Sequence, residues 1–440
     1  MWWLVAAALL FYVYWNPRDI LVAGGSFVGN FLAARWILTT RRPTLVLGVA
    51  VAANLLVLGY FKYSNFALEL FSPTLAAQLR IVLPLGISFF TFTQIAYLCD
   101  CHAGKLKAAQ HNWRDYMTFV TFFPHLIAGP ILHHSNIIPQ VQGAFRRDWP
   151  RKASTGVVLF SIGLFKKVII ADSLGDVANP VFNAADAGES IGCTHAWAGA
   201  LAYAFQIYFD FSGYSDMAVA SALFLGFHIP FNFRSPYQAP SIIEFWRRWH
   251  ITLSNFLRDY LYIPLGGNRR GETRRYMNIF VTMLLGGIWH GAGVNFVIWG
   301  ALHGGFIVVN HLWRDFAVPR LGKLTGSPVY WAAGYAITMT CVLLAWVFFR
   351  AQTVGGAVGL LTSMLAPSNP GDVTIDERAA LLLAISALLA GLAPNSWCIH
   401  DGLMNDGRLN RGLIGAAAGV AFAIAFVSIS ADSPFLYFLF

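Results

Sequence analysis

Long apolar runs recur along the chain, near 2–15, 20–38, 43–61, 80–99, 115–133, 154–172, 197–226, 276–311, 328–349, 378–394 and 411–430, with polar stretches between them. A helix needs about 20 apolar residues to cross the hydrocarbon of a bilayer, so this pattern predicts an all-α multi-pass membrane protein of about eleven membrane segments. The first run lacks a basic leader and a small-residue cleavage motif, and a second run follows at once. It reads as a retained or shortened span, not a cleaved signal.

Two stretches do not fit a simple span. Phe122-Phe123-Pro124-His125 through Gly129-Pro130 carries helix breakers at membrane depth, and Phe245 to Pro264 is too charged to cross. Both are expected as re-entrant or interfacial helices buried in protein, because lipid would leave their backbone groups unpaired. With no internal repeat, low-complexity tract or soluble linker, residues 1–440 read as a single membrane domain.

Composition places the chain in lipid. It is 57% hydrophobic and 12% charged, with mean hydropathy +0.57, a balance foreign to soluble domains. The net charge of +9 is no sign of nucleic acid, since the basic residues gather in loops between apolar runs as the positive-inside rule requires. Loops 36–42, 100–114, 230–275, 314–326 and 395–411 are placed in the cytoplasm. Loops 173–196 and 351–377, with Asp176, Asp186, Glu189, Asp372, Asp376 and Glu377, are placed outside, whereas Arg146 to Lys152 mark a basic loop. The five cysteines match neither a disulfide framework nor a zinc site.

Three clusters carry candidate chemistry. In the first, Trp289-His290-Gly291-Ala292-Gly293 sets an imidazole among apolar and small residues, with Asn295, Trp299 and His303 following. An ionisable residue at membrane depth is a functional candidate, and the flanking glycines admit a close approach to the ring and a helix break. Against this stands a histidine simply satisfied by a carbonyl. His303 shares a wall with His290 only if the helix breaks between them.

The second cluster is Glu244-Phe245-Trp246-Arg247-Arg248-Trp249-His250, running on to Ser254 and Arg258 through Asn268. Trp246 and His250 share a helix face at i and i+4, and the interleaved aromatics and cations suit a helix at the cytoplasmic boundary, either reaching phosphates or only anchoring at the interface.

The third cluster, Phe209-Asp210-Phe211-Ser212-Gly213-Tyr214-Ser215-Asp216, puts two carboxylates in an apolar run. They need partners, and Arg234, Arg247 and Arg248 are the nearest cations considered. Paired intramembrane aspartates also suit a transporter. The other histidines show no metal-ligand spacing, and no metal is expected.

These segments resemble the membrane-bound O-acyltransferase family, in its bacterial polysaccharide branch typified by the alginate O-acetylation protein. The resemblance rests on Pro84-Leu85-Gly86-Ile87-Ser88-Phe89, the Phe122–Pro130 stretch, Asp210–Met217, Phe245–Gly267, Trp289-His290-Gly291 and the ending Ser433-Pro434-Phe435-Leu436-Tyr437-Phe438. His125 departs from the family's glutamine after Phe-Phe-Pro, and the N-terminus is shorter than usual.

The resemblance implies a ring of tilted helices around a central tunnel. It implies His290 as catalytic histidine and His250 as a second active-site histidine. Trp246, Arg247, Arg248, Trp249, Ser254, Arg269, Arg270, Trp289, Asn295 and His303 are then expected to contact acyl-CoA, with Asp210, Ser212, Tyr214 and Asp216 as structural support. It further implies acetyl-CoA as donor, no permanently bound cofactor, and a bacterial inner-membrane location. The acceptor would be a periplasmic acetyltransferase, a carrier protein or a polysaccharide such as alginate or cellulose. D-alanyl transfer to teichoic acid is the alternative enzyme reading, and a membrane transporter the alternative outside enzymes.

Overall fold

A computed structural model describes residues 2–72, 74–75, 79, 81–126, 129–142, 148–366, 376–406, 410–430 and 436, and among them every regular element is helical. Arg146, Asp372, Ile127, Ala128 and the Ser433–Phe438 ending apart from Leu436 lie outside the described residues. The chain gathers into two compact units, Met1–Gly156 with Ala218–Pro230, and Val157–Met217 with Phe231–Phe440.

In the first unit, helices α1 (Trp2–Trp15), α2 (Asp19–Thr39), α3 (Pro43–Phe71) and α4 (Ile87–His102) carry few charged residues, and several of their buried polar side chains are hydrogen-bonded within the unit. Asn30 and Asn54, both buried, exchange amide hydrogen bonds of 3.1 and 2.7 Å between α2 and α3. Such bonds fasten helices where lipid supplies no partner. Asp19 accepts from the Leu85 N–H at 3.0 Å, and Asp100 is paired with Lys105 at 2.7 Å and His134 at 3.1 Å. His125 is fully buried and donates from Nδ1 to the Phe122 carbonyl at 2.6 Å.

The second unit holds the end of α5 (Trp149–Phe165), which continues through a π turn, Lys166–Ala171, into Asp172–Asp186. Most of α6 (Cys193–Phe224) follows. Two short helices, α7 (Ile242–Arg248) and α8 (Ile251–Leu257), precede α9 (Glu272–His290), α10 (Val294–Leu312) and α11 (Pro328–Arg350).

Among the described residues, four helices are long and apolar enough to cross a membrane: Asp19–Thr39, Pro43–Phe71, Val294–Gly326 and Pro328–Arg350. A fifth is added if Glu377–Leu392 and Ser396–Asn405, bent by 52°, form one broken span. This is fewer than the apolar runs suggest, because several runs are interrupted. The run at 115–133 is split between Trp113–Val120 and Phe123–Leu126, and 276–311 is folded into two helices at Gly291–Gly293.

Glycine permits that hairpin. A Cβ on Gly300 would stand 2.7 Å from the Met283 carbonyl oxygen and 3.1 Å from the Gly287 Cα, and one on Gly304 3.2 Å from the Phe280 Cα. The backbones of α9 and α10 are therefore in contact along their length. Gly300→Val should push them apart at a cost of about 1–3 kcal/mol, read as a lowered unfolding transition in detergent. Gly305→Ala, where a Cβ meets open space, should leave the transition in place. Equal transitions for both variants would exclude backbone contact as the reason for Gly300.

Candidate active site

His290 is the last residue of α9, 6% exposed, and the extended backbone of Gly291 turns the chain away immediately after it. Its ring lies among aromatic rings, with centroids 4.9 Å from Trp289, 4.9 Å from Trp299 and 5.2 Å from Phe349. A Cβ on Gly291 would overlap the Phe296 ring, so only glycine fits at this bend.

After the break, α10 brings His303 back to the same wall. Trp299 lies between the two histidines, 4.7 Å from His303, so the condition set by the sequence, a helix break between positions 290 and 303, is met. His303 is fully buried, and its Nδ1 accepts from the Trp246 indole N–H at 3.2 Å. Asn295, also buried, donates to the Ala351 carbonyl at 2.6 Å and ties the start of α10 to the end of α11.

His250 occupies the turn between α7 and α8, outside the helices long and apolar enough to span, with φ 43° and ψ 54°. This left-handed conformation costs about 1–3 kcal/mol in a non-glycine residue and persists only where the surroundings impose it. Here they do. The Ile251 N–H donates to the Asn232 carbonyl at 3.0 Å, the Arg234 N–H to the Arg248 carbonyl at 3.0 Å, and the Thr252 hydroxyl to Asn232 Oδ1 at 2.7 Å. The His250 ring meets Phe211 of α6 edge-on at 4.7 Å. Burial pushes its pKa down to about 3, so the imidazole is neutral near pH 7.

Ring contacts link this turn to His290: Trp249 to Trp346 at 4.9 Å, Trp346 to Trp299 at 5.9 Å, Trp299 to His290 at 4.9 Å. Sequence reasoning missed Trp346 and Phe349. They are spaced i, i+3 near the end of α11, a pattern indistinguishable from ordinary core in one sequence.

The basic residues divide by exposure. The Arg247 side chain is 68% exposed and pairs with Glu244 at 3.3 Å, and Arg248 pairs with the same carboxylate at 3.0 Å. Arg269 and Arg270 are exposed. The Ser254 hydroxyl donates to the Trp249 carbonyl at 3.3 Å, which makes it a brace of the turn in this structure.

The two buried aspartates of α6 correct the sequence reading. Their partners are lysines of the π turn, not Arg234, Arg247 or Arg248: Asp210 meets Lys167 at 2.9 Å, and Asp216 meets Lys166 at 2.7 Å and accepts from the Ser396 hydroxyl at 2.5 Å. Arg234 instead lies over the Trp397 ring at 3.7 Å. Proximity in sequence favoured the arginines, but a lysine next to α6 reaches the carboxylates without crossing the aromatic wall. Tyr214 lies under the Lys167 ammonium at 5.9 Å, and Ser212 is buried on the same helix.

Comparison with known proteins gives the chemistry a context. The membrane-bound O-acyltransferase family matches residues 87–344. The chain is similar to the peptidoglycan O-acetyltransferase of Helicobacter pylori, 41% identical over 87% of this chain and 76% of that protein. It is similar to a probable alginate O-acetylase of Pseudomonas aeruginosa, 41% identical over 88% of this chain and 75% of that protein. A teichoic acid D-alanyltransferase of Streptococcus thermophilus is more distant, 26% identical over 63% of this chain and 70% of its own.

Proposed function

The chain belongs to the membrane-bound O-acyltransferase family and is an acyltransferase, and from that premise we propose that it transfers acetyl from cytoplasmic acetyl-CoA, across a bacterial inner membrane, to a hydroxyl acceptor. The acceptor is an extracytoplasmic polysaccharide, or a periplasmic protein that passes the acetyl group to one. The observation that carries this reading is a buried imidazole, His290, at a helix break in a chain 41% identical to enzymes named for O-acetylation of peptidoglycan and alginate.

The geometry supports a direct transfer. Neutral His290 takes the proton of the acceptor hydroxyl as its oxygen attacks the thioester carbonyl carbon, and returns it to the departing thiolate. Aromatic rings around His290 keep bulk water from competing as the nucleophile. The exposed Arg247, Arg269 and Arg270, with Arg248, offer planar donors to the phosphates of the donor.

The test uses purified protein in detergent with radiolabelled acetyl-CoA, and in parallel a D-alanyl carrier-protein thioester. Transfer from acetyl-CoA alone is expected. In the Arg269→Ala/Arg270→Ala variant, KM for acetyl-CoA should rise roughly tenfold, the loss of one charge-assisted hydrogen bond, with kcat little changed. Transfer from the carrier-protein thioester and none from acetyl-CoA would replace the acetyl reading with D-alanylation.

A further inference from the structure

Two buried donors on the wall beside His290 have no acceptor among the described residues: Nε1 of Trp299, 1% exposed and on the ring that touches His290, and Nε2 of His303, fully buried on the other side of Trp299. The proton on His303 is fixed by its neighbour. Its Nδ1 accepts from the Trp246 indole N–H, which requires that nitrogen to be unprotonated, so the ring is neutral and its one proton sits on Nε2. An indole N–H likewise only donates. The Trp299 ring touches both histidines, at 4.9 Å to His290 and 4.7 Å to His303.

Buried donors rarely go without an acceptor, and where they do the exception calls for a cause. A ligand oxygen would supply the missing acceptor. The only oxygen in this reaction that gains negative charge without taking a proton is that of the acyl carbonyl, and neutral N–H groups set in a rigid wall are the donors such an oxyanion needs.

We propose that His303 Nε2–H, with Trp299 Nε1–H next to it, binds the carbonyl oxygen of the acyl thioester and stabilises the oxyanion formed during transfer. This rests on the acyl-thioester reading above. As the acceptor oxygen bonds to the carbonyl carbon, the C=O π pair moves onto the oxygen held by His303 and Trp299, and His290 takes the hydroxyl proton. The pair then returns, the C–S bond breaks, and the thiolate leaves with the proton from His290. Trp246 acts here as a positioning residue: its indole N–H holds the His303 tautomer.

The test pairs kinetics with infrared difference spectra of acetyl-CoA labelled with carbon-13 at the carbonyl. His303→Leu should lose roughly 10²–10³ in kcat, the usual loss for one oxyanion donor, with KM for acetyl-CoA almost unchanged. His303→Gln, whose amide N–H replaces Nε2–H, should recover part of that loss. Trp246→Phe should fall between them by freeing the tautomer. The bound carbonyl band should lie at lower wavenumber in wild type than in His303→Leu, with His303→Gln between. A bound thioester whose band is the same in all three proteins would overturn this assignment and leave the acetyl-CoA reading standing. Absence of any bound thioester in wild type would overturn both.

Discussion

Purified His290→Ala protein should transfer acetyl roughly 10²–10⁴-fold more slowly than wild type, the range for loss of a positioned general base, while still binding acetyl-CoA. The attacking hydroxyl is a poor nucleophile until its proton has somewhere to go, and in the proposed mechanism the imidazole at the end of α9 takes it. The variant should fold, because Trp299 and Phe349, which pack against His290 at 4.9 and 5.2 Å, also pack against one another. The loss should fall on kcat, with KM for acetyl-CoA close to wild type, since an interaction made only in the transition state leaves ground-state binding alone. A variant within tenfold of wild type would remove His290 from the chemistry. Trapping an acetylated residue of this chain would replace direct transfer with a two-step route.

The helix break after His290 was legible because Gly291-Ala292-Gly293 interrupts an apolar run, whereas the return of His303 to the same wall followed from the sequence only on condition of that break. The strained turn at His250 was not. Its left-handed backbone is imposed by Asn232 and Thr252, which no periodicity links to Trp246 or Trp249. The lysine partners of Asp210 and Asp216 were hidden for a related reason. Lys166 and Lys167 interrupt an apolar run that reads as a plain span, and only the π turn there directs two consecutive ammonium groups toward α6. Hydropathy marks where a chain can enter lipid, yet it cannot tell a crossing helix from a broken one. That is why the apolar runs outnumber the helices long enough to span.

The π turn also sets the largest expected stability effect. Lys167 and Asp210 are 5% and 2% exposed and 2.9 Å apart, and Asp210 accepts in addition from the Leu436 N–H at 3.3 Å. Removing one member of a buried pair strands the other charge where water cannot reach it, at a cost of about 3–5 kcal/mol, whereas replacing both with apolar groups of similar size is often neutral. Lys167→Met should therefore lower the unfolding transition in detergent sharply, and Lys167→Met/Asp210→Leu should regain most of the loss. Asp172, the other partner of Lys167 at 2.6 Å, is 28% exposed, so hydration shields it and the penalty concentrates on Asp210. A single variant as stable as wild type, or a double variant no better than the single, would show that the pair holds no buried charge in check. The consequence extends to the site. The helix these lysines grip carries Phe211 against the His250 ring and Ser215, whose hydroxyl accepts from Asn232 Nδ2 at 3.2 Å. Loss of the pair loosens the clamp that holds His250 in its left-handed turn, so activity should fall together with stability in Lys167→Met and return together in the double variant.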